Sequence, residues 1–280
     1  MPYKHLIAEY IHPMKPVPTA LTRTGTLPDK IECILFDVYG TLFISGSGDI
    51  QMTSKEPRDN HRLKKLLKKY KIDQEPRIVR AEFFDQIEMK HQAMRERGID
   101  FPEIIIEKIW QDVLGLDLQT ARAFAVEFEL IQNPVYPMPY LKQMLHECRE
   151  LNLLMGLISN AQFFTLYLFD WFLESNLDDL GFEPDMTLFS FQFGRAKPSG
   201  YLFQLAANRL KQRGLSAREV LYLGNDMLND IYPAQKAGFK TALFAGDVRS
   251  LRLRKDHTKC KNLSADLVIT RLDQLPGLLA

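Results

Sequence analysis

An α/β fold, with a Rossmann-like parallel sheet interrupted by an all-helical insert, is what this 280-residue sequence predicts. Three observations carry the prediction. Apolar runs at Ile31–Phe36, Leu153–Ile158 and Glu219–Leu223 read as buried strands, and each stops abruptly at polar residues. Helical periodicity separates the strands. From residue 46 to 134 the pattern is helical throughout, with no strand signal. A chain 46% hydrophobic and 25% charged has the composition of an ordinary globular protein.

The predicted organisation is an N-terminal extension over 1–29, a core built from 30–45 and 135–280, and a helical insert over 46–134. With 36 basic against 35 acidic residues the net charge is +1, so no overall field points to nucleic acid or a membrane surface. Three cysteines, Cys33, Cys148 and Cys260, are an odd number without metal-ligand spacing, which fits a reducing compartment. No apolar run reaches the roughly 18 residues that span a bilayer, and no h-region opens the chain. The expectation is a cytoplasmic protein, monomer or homodimer, whose partner is a small molecule.

Taken in order, the extension carries Pro13, Pro16, Pro18 and Pro28 and reads as extended chain, with one short helix near Leu6–Ile11. The first strand ends at Asp37, and Gly40 marks a tight turn. Burying a carboxylate at a strand end is costly unless it is paired, hydrogen-bonded or metal-bound, and open α/β sheets place ligands at such ends. Asp37 is therefore a candidate nucleophile or metal ligand, although an aspartate that simply ends a strand before glycine reads the same way. Ser45–Asp49 reads as a flexible linker. Leu63, Leu66, Leu67 and Tyr70 mark the first insert helix, whose lysines form a solvated face. Further helices are predicted over 76–97, 102–114 and 118–130, with Asn133-Pro134 and Pro137 closing the insert.

A helix at 141–151 precedes the second strand, which ends in Ser159-Asn160. These residues suit a helix cap, and a hydroxyl there also suits an anion. A strand is predicted over 187–193, followed by Arg195, Lys197 and a helix opening at Pro198. Lys197 supplies a compact positive charge able to hold a nucleophile and an anion together, with Arg195 a weaker candidate. After the strand at 219–223 come Asp226 and Asp230, four residues apart. Such a pair can converge on Mg²⁺, which takes one or two carboxylates plus waters; an acid-rich helix start looks alike. Short runs at 241–244 and 266–269 complete the sheet.

Phe36-Asp37-Val38-Tyr39-Gly40-Thr41-Leu42, Ser159, Lys197-Pro198 and the 224–230 segment resemble, in order, the four motifs of the haloacid dehalogenase-like (HAD) hydrolases. The resemblance implies Asp37 as covalent nucleophile, Ser159 and Lys197 as catalytic partners, and Tyr39, Gly40, Thr41, Asn160 and Arg195 at the substrate. It also implies Mg²⁺ held by Asp37, the Tyr39 carbonyl, Asp226 and Asp230, and an insert that caps the site. Two signals conflict. Phosphatases of this superfamily carry an acid where Tyr39 stands, and Asp-x-Tyr-Gly-Thr is similar to the 2-haloacid dehalogenases, whose halide leaves without a proton and without a metal. The acidic pair favours Mg²⁺ and phosphate. Asn225, where the commonest motif has aspartate, leaves open whether it or Asp226 faces the metal. The reading expected here is an Mg²⁺-dependent phosphohydrolase of a small phosphorylated metabolite. The alternatives are a metal-independent 2-haloacid dehalogenase and a non-catalytic phosphate-binding protein.

Overall fold

A computed structural model describes residues 2–47 and 60–279. Gly48 and Asp49 of the expected linker lie outside that range. The chain opens with α1 (His5–Tyr10) and the short β1 (Thr24–Gly25), then β2 (Cys33–Phe36) and β3 (Phe43–Ser45). The insert follows as α2 (Asn60–Lys69), α3 (Pro76–Glu96), α4 (Ile106–Leu114) and α5 (Leu118–Gln132). The remainder is β4 (Val135–Pro137), α6 (Leu141–Glu150), β5 (Leu154–Ser159), α7 (Thr165–Leu173), β6 (Phe182–Phe189), α8 (Ser190–Phe193), α9 (Tyr201–Gln212), β7 (Val220–Gly224), α10 (Tyr232–Lys236), β8 (Lys240–Phe244) and β9 (Leu267–Ile269).

The main sheet runs β1-β9-β8-β7-β2-β5-β6, parallel throughout except where β1 joins antiparallel at the edge. β2 lies between β5 and β7, with Phe36 level with Leu157 on one side and Leu223 on the other. Its four residues, Cys33 to Phe36, are all fully buried. Burial on both faces explains why the run is apolar throughout rather than alternating. The strand ends of β2, β5 and β7 are thereby set side by side, and Asp37, Ser159 and Asn225 come to one edge of the sheet. β3 and β4 pair antiparallel as a separate two-stranded ribbon at the two crossings between core and insert.

Inside the insert an aromatic knot supplies the packing. Trp110 stacks on Phe83 with ring centroids 4.3 Å apart, and meets both Phe124 and Phe128 edge-on at 4.7 Å. Such pairs add to the hydrophobic gain of burial and hold the rings in defined orientations.

Besides the short strands β1, β3 and β4 and the later start of α4 at Ile106 rather than 102, three elements depart from the sequence expectation. The strand expected at 187–193 is β6, 182–189; residues 190–193 form one helical turn because Ser190 leaves the sheet to accept from the Ala161 N–H and donate to Glu103. α9 starts at Tyr201, after a turn closed by the Ser199 N–H on the Ala196 carbonyl, rather than at Pro198. α7 carried no helical signal because its Thr165–Leu173 sequence is apolar on nearly every face.

The extension is tied to both parts of the molecule. The Tyr10 hydroxyl donates to Glu127 on α5 at 2.7 Å. The Trp171 indole donates to the Pro2 carbonyl, and Thr19 to that of Ala245. Glu127 also accepts from Tyr70 at 2.7 Å and Lys69 at 2.5 Å, so a carboxylate buried in an apolar helix has three donors.

Candidate active site

Asp37 leaves β2 with its N–H bonded to the Leu223 carbonyl, which aims the side chain out of the sheet edge. Its Oδ1 accepts from Ser159 Oγ at 2.9 Å and from Lys197 Nζ at 2.7 Å. The ammonium also donates to Asp230 Oδ1 at 2.6 Å and lies 3.1 Å from the Tyr222 hydroxyl. All of these groups are buried. Burial presses the Lys197 ammonium towards neutrality, but Asp230 and Asp37 outweigh it and raise its pKa above the ordinary lysine value. Asp230 is pushed up to about 6, chiefly by burial, against the pull of Lys197. The triad Asp37–Lys197–Asp230 is thus a buried cation between two carboxylates.

Asn160 holds Lys197 in place through the backbone: its Oδ1 accepts from the Lys197 N–H at 2.6 Å, and its Nδ2 donates to the Lys197 carbonyl at 3.0 Å. Two glycines are required by close approach. A Cβ on Gly40, where φ is +81°, would lie 2.5 Å from Asn225 Nδ2, and one on Gly224 would lie 2.5 Å from the Asp230 carboxylate.

Asp37, Tyr39, Asn160, Lys197, Asp226 and Asp230 all line one cavity of about 560 Å³. Ser159 reaches it through Asp37. Gly40 and Thr41 lie behind the loop, where Thr41 Oγ1 faces Asn225 Oδ1 at 3.4 Å. Arg195 is directed elsewhere, over the Tyr201 ring and beside Asp100. Burial drives the Tyr39 phenol far above the ordinary tyrosine range, and its hydroxyl sits 2.8 Å from Thr165 Oγ1. It is a poor substitute for a carboxylic acid.

The carboxylates expected to hold Mg²⁺ are committed to other partners. Asp226 caps the wide π-helical turn at Met227–Ile231, its Oδ1 accepting from the Leu228 and Asn229 N–H groups, while its Oδ2 accepts from Arg254 Nη2 at 2.7 Å. Asp230 Oδ2 accepts from the Asn225 and Asp226 N–H groups at 2.9 Å each, and its Oδ1 faces Lys197 and Tyr222. Among the described residues no group of three His, Cys, Asp or Glu side chains is placed to hold a metal ion. In this arrangement the donor set does not fit Mg²⁺: Asp37 keeps Oδ2 available, but Asp226 and Asp230 have no lone pair to spare without giving up an existing partner.

Sequence reasoning missed Tyr222, Arg254, Glu103 and Glu129. Glu129 had a visible signal, since Phe124–Ile131 is apolar except for Glu127 and Glu129. Glu103 and Glu129 both line the cavity, and burial pushes each up to about 7. Arg254 had no signal, because it reaches Asp226 from a loop 28 residues away.

A family model described as haloacid dehalogenase-like hydrolase matches residues 31–238. The fold is similar to a 2-haloacid dehalogenase from Pseudomonas syringae pv. Tomato DC3000, with TM-score 0.54 and 18% identity over 89% of this chain and 98% of that one. It is also similar to an L-2-haloacid dehalogenase from Xanthobacter autotrophicus with chloropropionic acid covalently bound, with TM-score 0.51 and 19% identity over 89% and 98%. A HAD phosphatase from Thermococcus onnurineus gives TM-score 0.55 and 18% identity over the same shares. No curated protein matches the sequence. No described helix is long and apolar enough to cross a membrane.

Proposed function

The chain belongs to the haloacid dehalogenase-like hydrolases, and within that family we propose a metal-independent dehalogenase that acts on 2-haloacids. The observation that carries the reading is the state of the fourth motif: Asp226 is filled by Arg254 and its own helix cap, and Asp230 by Lys197, Tyr222 and two backbone N–H groups. Tyr39 supports it, because a halide leaves without the proton that an alkoxide requires.

Asp37 Oδ2 attacks the carbon bearing the halogen, a C–O bond forms as the C–X bond breaks, and X⁻ departs with the bonding pair. Water then adds to the Asp37 carboxyl carbon of the ester. The acyl C–O bond breaks, the 2-hydroxyacid leaves, and Asp37 is restored with release of one proton. Lys197 and Ser159, both on Asp37 Oδ1, hold the carboxylate with Oδ2 towards the cavity and stabilise the oxyanion of the second step.

One observation favours a second reading. The Arg254 side chain is 32% exposed, and were it to leave Asp226 a carboxylate beside Asn225 would become available. The site then approaches that of an Mg²⁺-dependent phosphohydrolase acting on a small phosphorylated metabolite. A single screen separates the two. Halide release from 2-chloropropanoate in EDTA supports the dehalogenase. Phosphate release from p-nitrophenyl phosphate only with Mg²⁺ overturns it in favour of the second reading, and silence on both leaves a phosphate-binding protein without turnover.

A further inference from the structure

A 2-haloacid brings a carboxylate into the cavity, and the groups nearest Asp37 are already spent. The Lys197 ammonium donates to Asp37, Asp230 and the Ile158 carbonyl and lies against the Tyr222 hydroxyl. Asn160 uses both amide atoms on the Lys197 backbone. Arg80 and His91 belong to α3 in the wall above, and burial pulls His91 below the ordinary histidine value. Arg252 lines the same cavity from the floor. Its Nη1 donates to the Arg249 and Leu251 carbonyls at 2.7 and 3.1 Å, which fixes the guanidinium against its own loop. Among the described residues no carboxylate pairs with it, and its Nε and Nη2 have no hydrogen-bond partner. Resting on the dehalogenase reading above, we propose that Arg252 seats the carboxylate of the 2-haloacid, with the Ser250 hydroxyl beside it as a further donor.

The loop after β8 is built to present these two residues. The Arg252 N–H donates to the Asn225 carbonyl at 3.0 Å and the Met227 N–H to the Arg252 carbonyl at 2.9 Å, so the chain here runs beside the fourth motif as a strand would. Neighbouring residues of an extended chain face opposite ways. Leu251 and Leu253 pack against the cluster of Met227, Ile231 and Leu243, while Ser250 and Arg252 line the cavity. Ser250 is 1% exposed, and its Oγ has no hydrogen-bond partner among the described residues. A Cβ on Gly40 would lie 3.0 Å from that oxygen, so the hydroxyl stands against the loop that carries Asp37. A carboxylate entering a buried site needs donors, and a guanidinium offers a planar fork that matches it. The neighbouring Asp226 does not compete for Arg252, because Arg254 holds it at 2.7 Å. Lys197 reaches Asp37 from the β5 side of β2, and Arg252 comes from the β7–β8 side. The two cations thus divide the work: one holds the nucleophile, the other the substrate.

The test is a ligand-observed NMR titration with 2-methylpropanoate, in which a methyl group replaces the halogen of 2-chloropropanoate, and with its amide, 2-methylpropanamide. Arg252→Gln is expected to weaken the carboxylate on the order of 10- to 100-fold, the range of a hydrogen-bonded charge pair, and to leave the amide unchanged. If that variant does not fold by circular dichroism, Arg252→Lys keeps the charge but loses the planar fork. It is expected to weaken the carboxylate about threefold to tenfold, again without effect on the amide. Equal weakening of both ligands, which a merely structural role gives, overturns the proposal, and so does unchanged carboxylate affinity. Inorganic phosphate whose binding depends on Arg252 while that of the carboxylate does not overturns it as well. Halide release from 2-chloropropanoate by the wild-type protein is scored separately. Carboxylate binding that depends on Arg252 without any halide release leaves the seat standing and the dehalogenase reading lost. Halide release with carboxylate binding indifferent to Arg252 does the reverse.

Discussion

Two regions face each other across the cavity, and they handle buried charge in opposite ways. At the sheet edge Asp37 and Asp230 share the Lys197 ammonium at 2.7 and 2.6 Å. In the wall above, Glu129 of α5 accepts from Asn133, and Glu103, in the connection before α4, accepts from Ser190, Gln162 and the Ile104 N–H, all neutral donors. The shared ammonium therefore keeps the sheet edge charged against burial, whereas in the wall burial outweighs the neutral donors and brings both carboxyls close to neutrality at physiological pH. The difference teaches where polarity is needed. A nucleophile must stay ionised in a dry site, so it carries its own counter-ion, whereas a carboxyl held only by neutral donors gives up its charge on burial.

The largest test of this contrast is Asp37→Asn. It should lower halide release by on the order of 10³-fold or more with the fold unchanged by circular dichroism, because an amide does not replace the carboxylate nucleophile. Turnover within tenfold of wild type would remove Asp37 from the chemistry.

Lys197→Met strikes the other property of the edge. Two buried carboxylates lose the cation they share, so urea unfolding should show a loss of about 3–5 kcal/mol. Adding Asp230→Asn should recover part of it. A loss below about 1 kcal/mol would mean that Asp37 and Asp230 do not depend on this ammonium.

The wall answers to pH. Glu103 and Glu129 have folded pKa values of about 7, above the unfolded carboxylate value of roughly 4.3. Between these values the folded state binds more protons than the unfolded, so stability falls as pH rises. The contribution is complete below about pH 4 and is lost through about pH 7, and each group is worth on the order of 1–3 kcal/mol. Asp230 acts in the same direction up to about 6. Melting temperature should therefore drop from pH 5 to pH 8, and Glu129→Gln should shallow the drop. A melting temperature constant across that range would contradict the account of the wall.

Tyr10→Phe is the gentlest probe. It removes one of three donors to Glu127, with an expected cost of about 1 kcal/mol. Amide exchange in α5 should quicken while exchange in β2 stays unchanged. Equal acceleration in both would indicate global rather than local loosening.

Much of this arrangement is readable in the residues themselves. Asp37, Ser159 and Lys197 each stand just past an apolar run, and a parallel sheet brings such ends together whatever the loops do. The positions of the insert helices follow from their periodicity, since α2 and α3 each bury one face. The state of Asp226 is not legible in the same way. Its neighbours Leu228 and Asn229 form the cap locally, but Arg254 arrives through a loop whose path depends on tertiary packing. The same holds for Glu127, whose donors Tyr10, Lys69 and Tyr70 come from two other helices and their flanks. Local pattern reports which residues are candidates, and long-range pairing decides which of them are already occupied.

The link from Tyr10 to Glu127 has a mechanical consequence. Two crossings of the main chain, near Ser45 and Asn133, are where any turn of the insert against the core would have to pivot. Glu127 sits six residues before Asn133, or about 9 Å up α5 at ~1.5 Å per residue. A restraint at that radius acts as a lever: slack of about 1 Å in the hydrogen bond allows only roughly 6° of rotation. Wide excursions of the insert require the bond to break, and small ones do not. A helix at the start of the chain, outside the cavity, is thereby fastened to α5, which lines that cavity through Phe128 and Glu129.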